Sequence, residues 1–216
     1  MKTASIVLLL TLFVWTPLAQ AAPKDASSRS SQVQVNGIVD TVMDKLWAQD
    51  DEYWHSGDYP RIIALDRIMA QAEPHFIECY NAGAWLMWSD GLDDDAQAFY
   101  QQCVVNNPSD SSAYYDYGMF LLNHRKEYPA AIRVFRQDIA HTGGDLLDWR
   151  MLAHSYEKNG DWDRAVQTWR QIKTRWPHGI PKDPTSAAVD DNNLKRALSH
   201  LKTPTPPAPE GKPATL

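Results

Sequence analysis

Residues Trp149 to Pro177 read WRMLAHSYEKNGDWDRAVQTWRQIKTRWP, and this stretch decides the fold. Trp149, Leu152 and Tyr156 recur three and four residues apart, so they share one face of a helix; Ala165 and Trp169 do the same on a second. Between the two patterns lies Gly160-Asp161. Glycine there tolerates the left-handed backbone that ends a helix, and Pro177 stops the second one. The small side chains of Ala153 and Ala165 let two antiparallel helices approach closely, with rings filling the space to either side. The segment predicts a helical hairpin closed by proline.

The same punctuation recurs upstream. Gly57 and Gly91 are 34 residues apart, as are Pro74 and Pro108, and Tyr80, Ala96 and Tyr100 take the places of Trp149, Ala165 and Trp169. A further copy runs Tyr114, Tyr117-Gly118, Leu121, Tyr128, Ala131 and Phe135. It fits only with one extra residue around Arg125-Lys126-Glu127, where the turn glycine is lost, and Gly143 replaces the closing proline. That turn is expected to be the least regular. The pattern resembles the tetratricopeptide repeat, whose period is about 34 residues. The resemblance implies an all-α chain: a right-handed α-solenoid of four helix-turn-helix units at about 43–76, 77–110, 111–145 and 146–179, with a C-terminal capping helix at about 185–202.

The flanks read differently. Met1-Lys2, the apolar run Ile6 to Trp15 and the small-residue end Ala19-Gln20-Ala21 form a secretory signal peptide over 1–21. The apolar run is too short to span a bilayer comfortably, so an exported chain, periplasmic or secreted, with no membrane span after cleavage is expected. Residues 22–36 are Ser-rich and read as a disordered leader. The solenoid, 37–202, opens with a helix from near Asn36 that carries Ile38, Val42, Leu46 and Tyr53 toward the core. At the other end Leu194, Ala197, Leu198 and Leu201 predict the capping helix, started by Asp190 or Asp191, with Lys195, Arg196 and His200 on its opposite face. Residues 203–216 are proline-rich and read as a disordered tail.

Formal charge is -6, and removal of Lys2 with the signal makes it -7. An acidic, aromatic-rich chain lacks the clustered Lys and Arg that a nucleic-acid backbone requires. Cys79 and Cys103 fall on the two helices of one hairpin at matching heights. Two readings stay open: a disulfide stapling that hairpin in an oxidising compartment, or free thiols filling small core positions.

In the family the first helix of each repeat lines a concave groove. Transferred to this sequence, the groove-facing places include Trp47, Asp51, Trp54 and His55 in the first repeat, and Asn81, Trp85 and Trp88 in the second. Tyr115, Met119 and Leu122 follow in the third, and Arg150, His154 and Lys158 in the fourth. Such an aromatic surface where the core does not need it marks a binding site. The expectation is a non-enzymatic adaptor or scaffold that binds an unidentified peptide or protein segment in this groove. A Trp-lined groove also suits a cell-wall glycan, and the rings could instead pack on one another or on a second copy of the chain. Acidic Asp44, Asp51 and Glu78 at one end and basic Arg150, His154 and Lys158 at the other would fix the direction of a bound segment. The carboxylate clamp of some family members is absent, since Trp47, Asp51 and Leu147 stand where it needs Lys, Asn and Lys. Asp51 and His55, four apart, are too few to hold a metal, and no phosphate loop or nucleophile motif occurs; no cofactor is expected.

Overall fold

A computed structural model describes the backbone of residues 25–180, 183 and 185–202, with side chains described over 37–180, 183 and 185–201. The expected signal peptide and the 203–216 tail lie outside the described residues. The elements in order are α1 (Asp25–Ser56), α2 (Tyr59–Ala72), α3 (Ile77–Ser89), α4 (Asp93–Asn106), α5 (Ser111–Met119) running into a π-helical turn (Phe120–His124), α6 (Tyr128–Thr142), α7 (Leu146–Lys158), α8 (Trp162–Arg175) and α9 (Ser186–Lys202). Among the described residues all regular structure is helical.

The chain divides between Val42 and Met43 into two units. The first contains the start of α1, and two expectations fail there. Helical backbone begins at Asp25 rather than near Asn36, so residues 25–36 are not an irregular leader. Ile38, 64% exposed, and Val42 do not face a core. This part of the helix carries no apolar stripe. Extending an existing helix adds one hydrogen bond per residue and needs no burial, and such an extension leaves no periodic trace in a sequence.

In the second unit the face of α1 that turns inward is Met43, Leu46, Asp50 and Tyr53. From α2 onward each helix packs on the next, and α3 also meets α5, and α5 meets α7. The first helices of successive hairpins therefore lie side by side. One buried cluster runs from Met69 in the first repeat to Leu152, Tyr156 and Ala165 in the fourth, and a second joins Leu146, Trp149, Trp169 and Ile172 to Ala197 of α9.

One hydrogen bond recurs at the hairpin turns. Asp58 N–H donates to Tyr53 O, Leu92 to Met87 and Asp161 to Tyr156 at 3.0, 2.8 and 2.9 Å, each closing a helix end in the way a left-handed glycine permits. Gly57, Gly91 and Gly160 hold φ of 73°, 82° and 77°. In the third repeat the equivalent bond runs from Glu127 to Leu121 and spans one residue more. The extra residue is absorbed by the π-helical turn, and Lys126 takes the glycine's place at φ 55°. The predicted irregularity is thus located, and its cost falls on a lysine.

Small-against-ring packing holds each hairpin. Ala84, Gly118 and Ala153 are buried on the first helices of repeats two to four, and Tyr100, Phe135 and Trp169 are buried on the second. A Cβ added at Gly118 would lie 2.4 Å from the Phe135 ring, which explains a glycine inside α5. In the first repeat the register places Asp50 and Asp66 at these two positions, both buried, with neither Asp66 oxygen finding a hydrogen-bond partner. Burial, reinforced by the charge of Asp50, pushes the Asp66 carboxyl up to about 8.

Cys79 and Cys103 are free, buried thiols. Cys79 Sγ donates to Phe76 O at 2.9 Å, and Cys103 sits where Met69 and Ile172 sit in the first and fourth hairpins, the small-core alternative. Burial pushes both thiols up to about 12.

Candidate aromatic groove

Helical spacing on α1 and α3 aligns four tryptophans, and the structure divides them. Trp54 and Trp85 stack with ring centres 6.2 Å apart and planes 26° apart. Trp85 meets Trp88 edge-on at 6.2 Å, Trp88 lies 4.6 Å from His124, and His124 stacks on Phe120 at 5.4 Å. Tyr59 extends the row at its other end, edge-on to Trp54 at 5.8 Å. Trp54 and Trp85 remain 37% and 46% exposed. Trp47, equally exposed, stands apart against Phe76 at 5.4 Å.

The row borders a pocket of about 340 Å³ lined by Trp85, Trp88, Tyr100, Asp116, Met119, Phe120, Asn123 and His124. Tyr100 and Phe120 are buried, whereas Trp88, Met119 and Asp116 are half-buried. Asn81, expected in the groove, donates Nδ2–H to Asp116 Oδ2, and its own Oδ1 is buried without a partner. Burial raises the Asp116 carboxyl above its ordinary range. Tyr115 packs against the core rather than lining the pocket, and Leu122 is buried. Phe120 comes to the aromatic row at the end of α5, and the π-helical turn that follows brings His124 there. A sequence count that assumed 3.6 residues per turn passed over both.

At the carboxyl end the expected groove residue Arg150 is engaged with α9. Arg150 Nε and Nη2 donate to both oxygens of Asp190 at 2.7 and 2.8 Å, and Nη2 also donates to Ser186 Oγ at 2.6 Å. His154 Nδ1 lies 3.0 Å from Glu157 Oε2, with its ring edge-on to Trp169. Burial opposes ionisation of Glu157, but bonds from His154, Trp169 and Arg196 hold its carboxyl below the ordinary range. Lys158 is exposed. The basic end read from the sequence is therefore largely neutralised by partners within the chain. Asp190, read as a helix start, is instead buried inside a helix that starts at Ser186.

Asp51 and His55 form an exposed pair at 3.7 Å, and among the described residues no group of three metal-ligating side chains converges. Among the same residues no helix is long and apolar enough to cross a membrane. The site is an open aromatic face bordered by carboxylates, built on the first helices of stacked hairpins.

These features define a helical-hairpin repeat protein, and comparison with known proteins names the repeat. A family model described as tetratricopeptide repeat matches residues 151–179, within the stretch that opens the sequence argument. Those residues, the α7–α8 hairpin, are thus similar to a tetratricopeptide repeat. No curated protein matches the sequence. Among solved structures, a Podosopora anserina putative kinesin light chain with nearly identical TPR-like repeats is 14% identical, over 74% of this chain and 87% of that one, with a TM-score of 0.54. MamA from Desulfovibrio magneticus RS-1 is 16% identical, over 74% of this chain and 91% of its own, with a TM-score of 0.50. At these identities the likeness is one of fold.

Proposed function

We propose that this chain is an exported, non-enzymatic adaptor that binds a protein segment against the Trp54–Trp85–Trp88–His124 row. The observation that carries this is the row itself: four rings from three repeats in mutual contact, with Trp54 and Trp85 still substantially exposed. Aromatic residues partly free of the core are the usual anchors of protein interfaces. Export rests on the signal-like residues 1–21. The acidic net charge argues against a nucleic-acid partner.

Co-purification from native envelope or culture extract tests the reading, comparing the chain with a Trp54→Ala/Trp85→Ala variant shown by circular dichroism to be folded. A protein retained by the first and lost by the second is expected. Identical recovery with both sinks the reading, and quenching of Trp fluorescence by soluble cell-wall fragments would assign the row to a glycan instead.

A further inference from the structure

The pocket beside the aromatic row has a chemical bias that an apolar binding groove does not need. Its walls are the rings of Trp85, Trp88, Tyr100, Phe120 and His124, and one carboxylate, Asp116, lies among them. Asp116 has no ion pair among the described residues; its partner is the Asn81 amide. Behind it Asn81 Oδ1 is buried with no donor to accept from. Met119 and Asn123 complete the lining, and Asp116 is its one acidic group, set among π faces.

The neighbouring basic side chains point to other carboxylates. His124 turns Nε2 to Asp93 Oδ1 at 2.8 Å, and Arg125 is held by Asp93, Asp94 and Glu127. Asp51 and Glu78 lie on the same helical faces as Trp54 and Trp85, and Glu78 has no ion pair among the described residues. An aromatic box attracts a cation through the negative faces of its rings, and a half-buried carboxylate adds a charge screened less than one at the surface. A neutral apolar side chain would desolvate Asp116 further and leave it with the Asn81 amide alone.

We infer that the pocket formed by Trp85, Trp88, Phe120, His124 and Asp116 receives a cationic side chain, the guanidinium or ammonium group of an Arg or Lys in the partner segment. This rests on the adaptor reading of the same face and adds the chemistry of the anchor. The cation lies against the Trp85 and Trp88 rings and donates to Asp116. Burial now opposes ionisation of Asp116, and a bound cation would restore it.

The test uses the whole chain and three probes of similar length: N-acetyl-arginine methylamide, N-acetyl-lysine methylamide and the neutral N-acetyl-norleucine methylamide, at constant ionic strength. Binding is followed by the indole N–H resonances of Trp85 and Trp88, with that of buried Trp169 as an internal control. The two cationic probes are expected to shift Trp85 and Trp88 saturably, with about tenfold preference over the neutral one. Asp116→Asn, checked for an unchanged fold, should erase that preference, and Trp88→Ala should weaken both cationic probes. Equal response to norleucine, an unchanged preference in Asp116→Asn, or no saturable shift with any probe overturns the inference. The co-purification experiment remains separate. A partner lost with Trp54 and Trp85 but no cation preference leaves the adaptor reading standing without this anchor; a cation preference with no retained partner does the reverse.

Discussion

Arg150 and Asp190 meet across 40 residues of chain through two parallel hydrogen bonds, 2.7 and 2.8 Å long. Asp190 is only 2% exposed, so the pair locks α9 against α7 in a place water barely reaches. Removing one partner of such a pair strands the other. Arg150→Met should cost about 3–5 kcal/mol and accelerate amide exchange in α9, whereas the double change Arg150→Met/Asp190→Leu should recover most of the loss. Denaturant melts of the three chains decide this. A single variant melting like the parent would mean that α9 is held by Ala197 and its apolar neighbours alone.

Lys126 occupies the turn position held by Gly57, Gly91 and Gly160 in the other repeats, at φ 55°. A side chain in this conformation crowds the following carbonyl, a strain of about 1–2 kcal/mol that glycine escapes. Lys126→Gly should therefore raise stability by about 1 kcal/mol, offset slightly by the greater freedom of glycine in the unfolded chain. Lys126→Ala should leave it nearly unchanged. Thermal unfolding of both variants is the check, and equal effects would show that lysine bears no strain there.

The hairpins were legible in the sequence because their determinants are local: a glycine turn, rings three and four residues apart, a closing proline. Even the fault in the third repeat showed as one surplus residue near Arg125. What stayed hidden is non-local or lacks periodicity. The early start of α1 at Asp25 has no apolar stripe to announce it. The contacts of Arg196 with Glu157 and of His200 with Trp162, 3.9 Å apart and nearly parallel, occur on the α9 face that reads as solvent-exposed. His124 reaches the aromatic row only because the π-helical turn resets the helical phase. Asp66 stands where the other repeats carry a ring, and packing shows that neither of its oxygens finds a hydrogen-bond partner.

Asp66 also sets a pH dependence. Its carboxyl is held near 8 by burial and by the Asp50 charge, whereas the unfolded chain ionises it near 3.8. Over that interval the folded chain keeps a proton that the unfolded chain has released, so this contribution is full below about pH 4 and declines as pH rises toward 8. Asp148, pushed up to about 7 by burial with the Asp138 charge beside it, acts with the same sign. Asp66→Asn removes the first contribution alone. Relative to the parent it should gain on the order of 2–4 kcal/mol in stability between pH 5 and 8.5. Urea melts across that range read the difference, and parallel curves for the two chains would contradict it.

The thiols give a chemical readout of the second hairpin. Burial that pushes Cys79 and Cys103 up to about 12 leaves almost no thiolate at neutral pH, and the same burial excludes reagent. A thiol-reactive chromogen should find no accessible group in the folded chain and two after unfolding without reductant. Two groups released only by reductant would establish a disulfide and refute the free-thiol packing.

Trp85 and Trp169 separate binding surface from scaffold. Trp169 is fully buried and its Nε1 donates to Glu157 Oε1 at 2.9 Å, so Trp169→Ala opens a cavity and breaks that bond. A cost of about 3–5 kcal/mol is expected. Trp85 is 46% exposed and rests chiefly on Trp54 and Trp88. Trp85→Ala should cost about 1 kcal/mol or less, in the range of one aromatic pair. Urea melts of the two variants rank them directly. A Trp85 loss as large as that of Trp169 would make the aromatic row part of the core, and a partner would then no longer be needed to explain it.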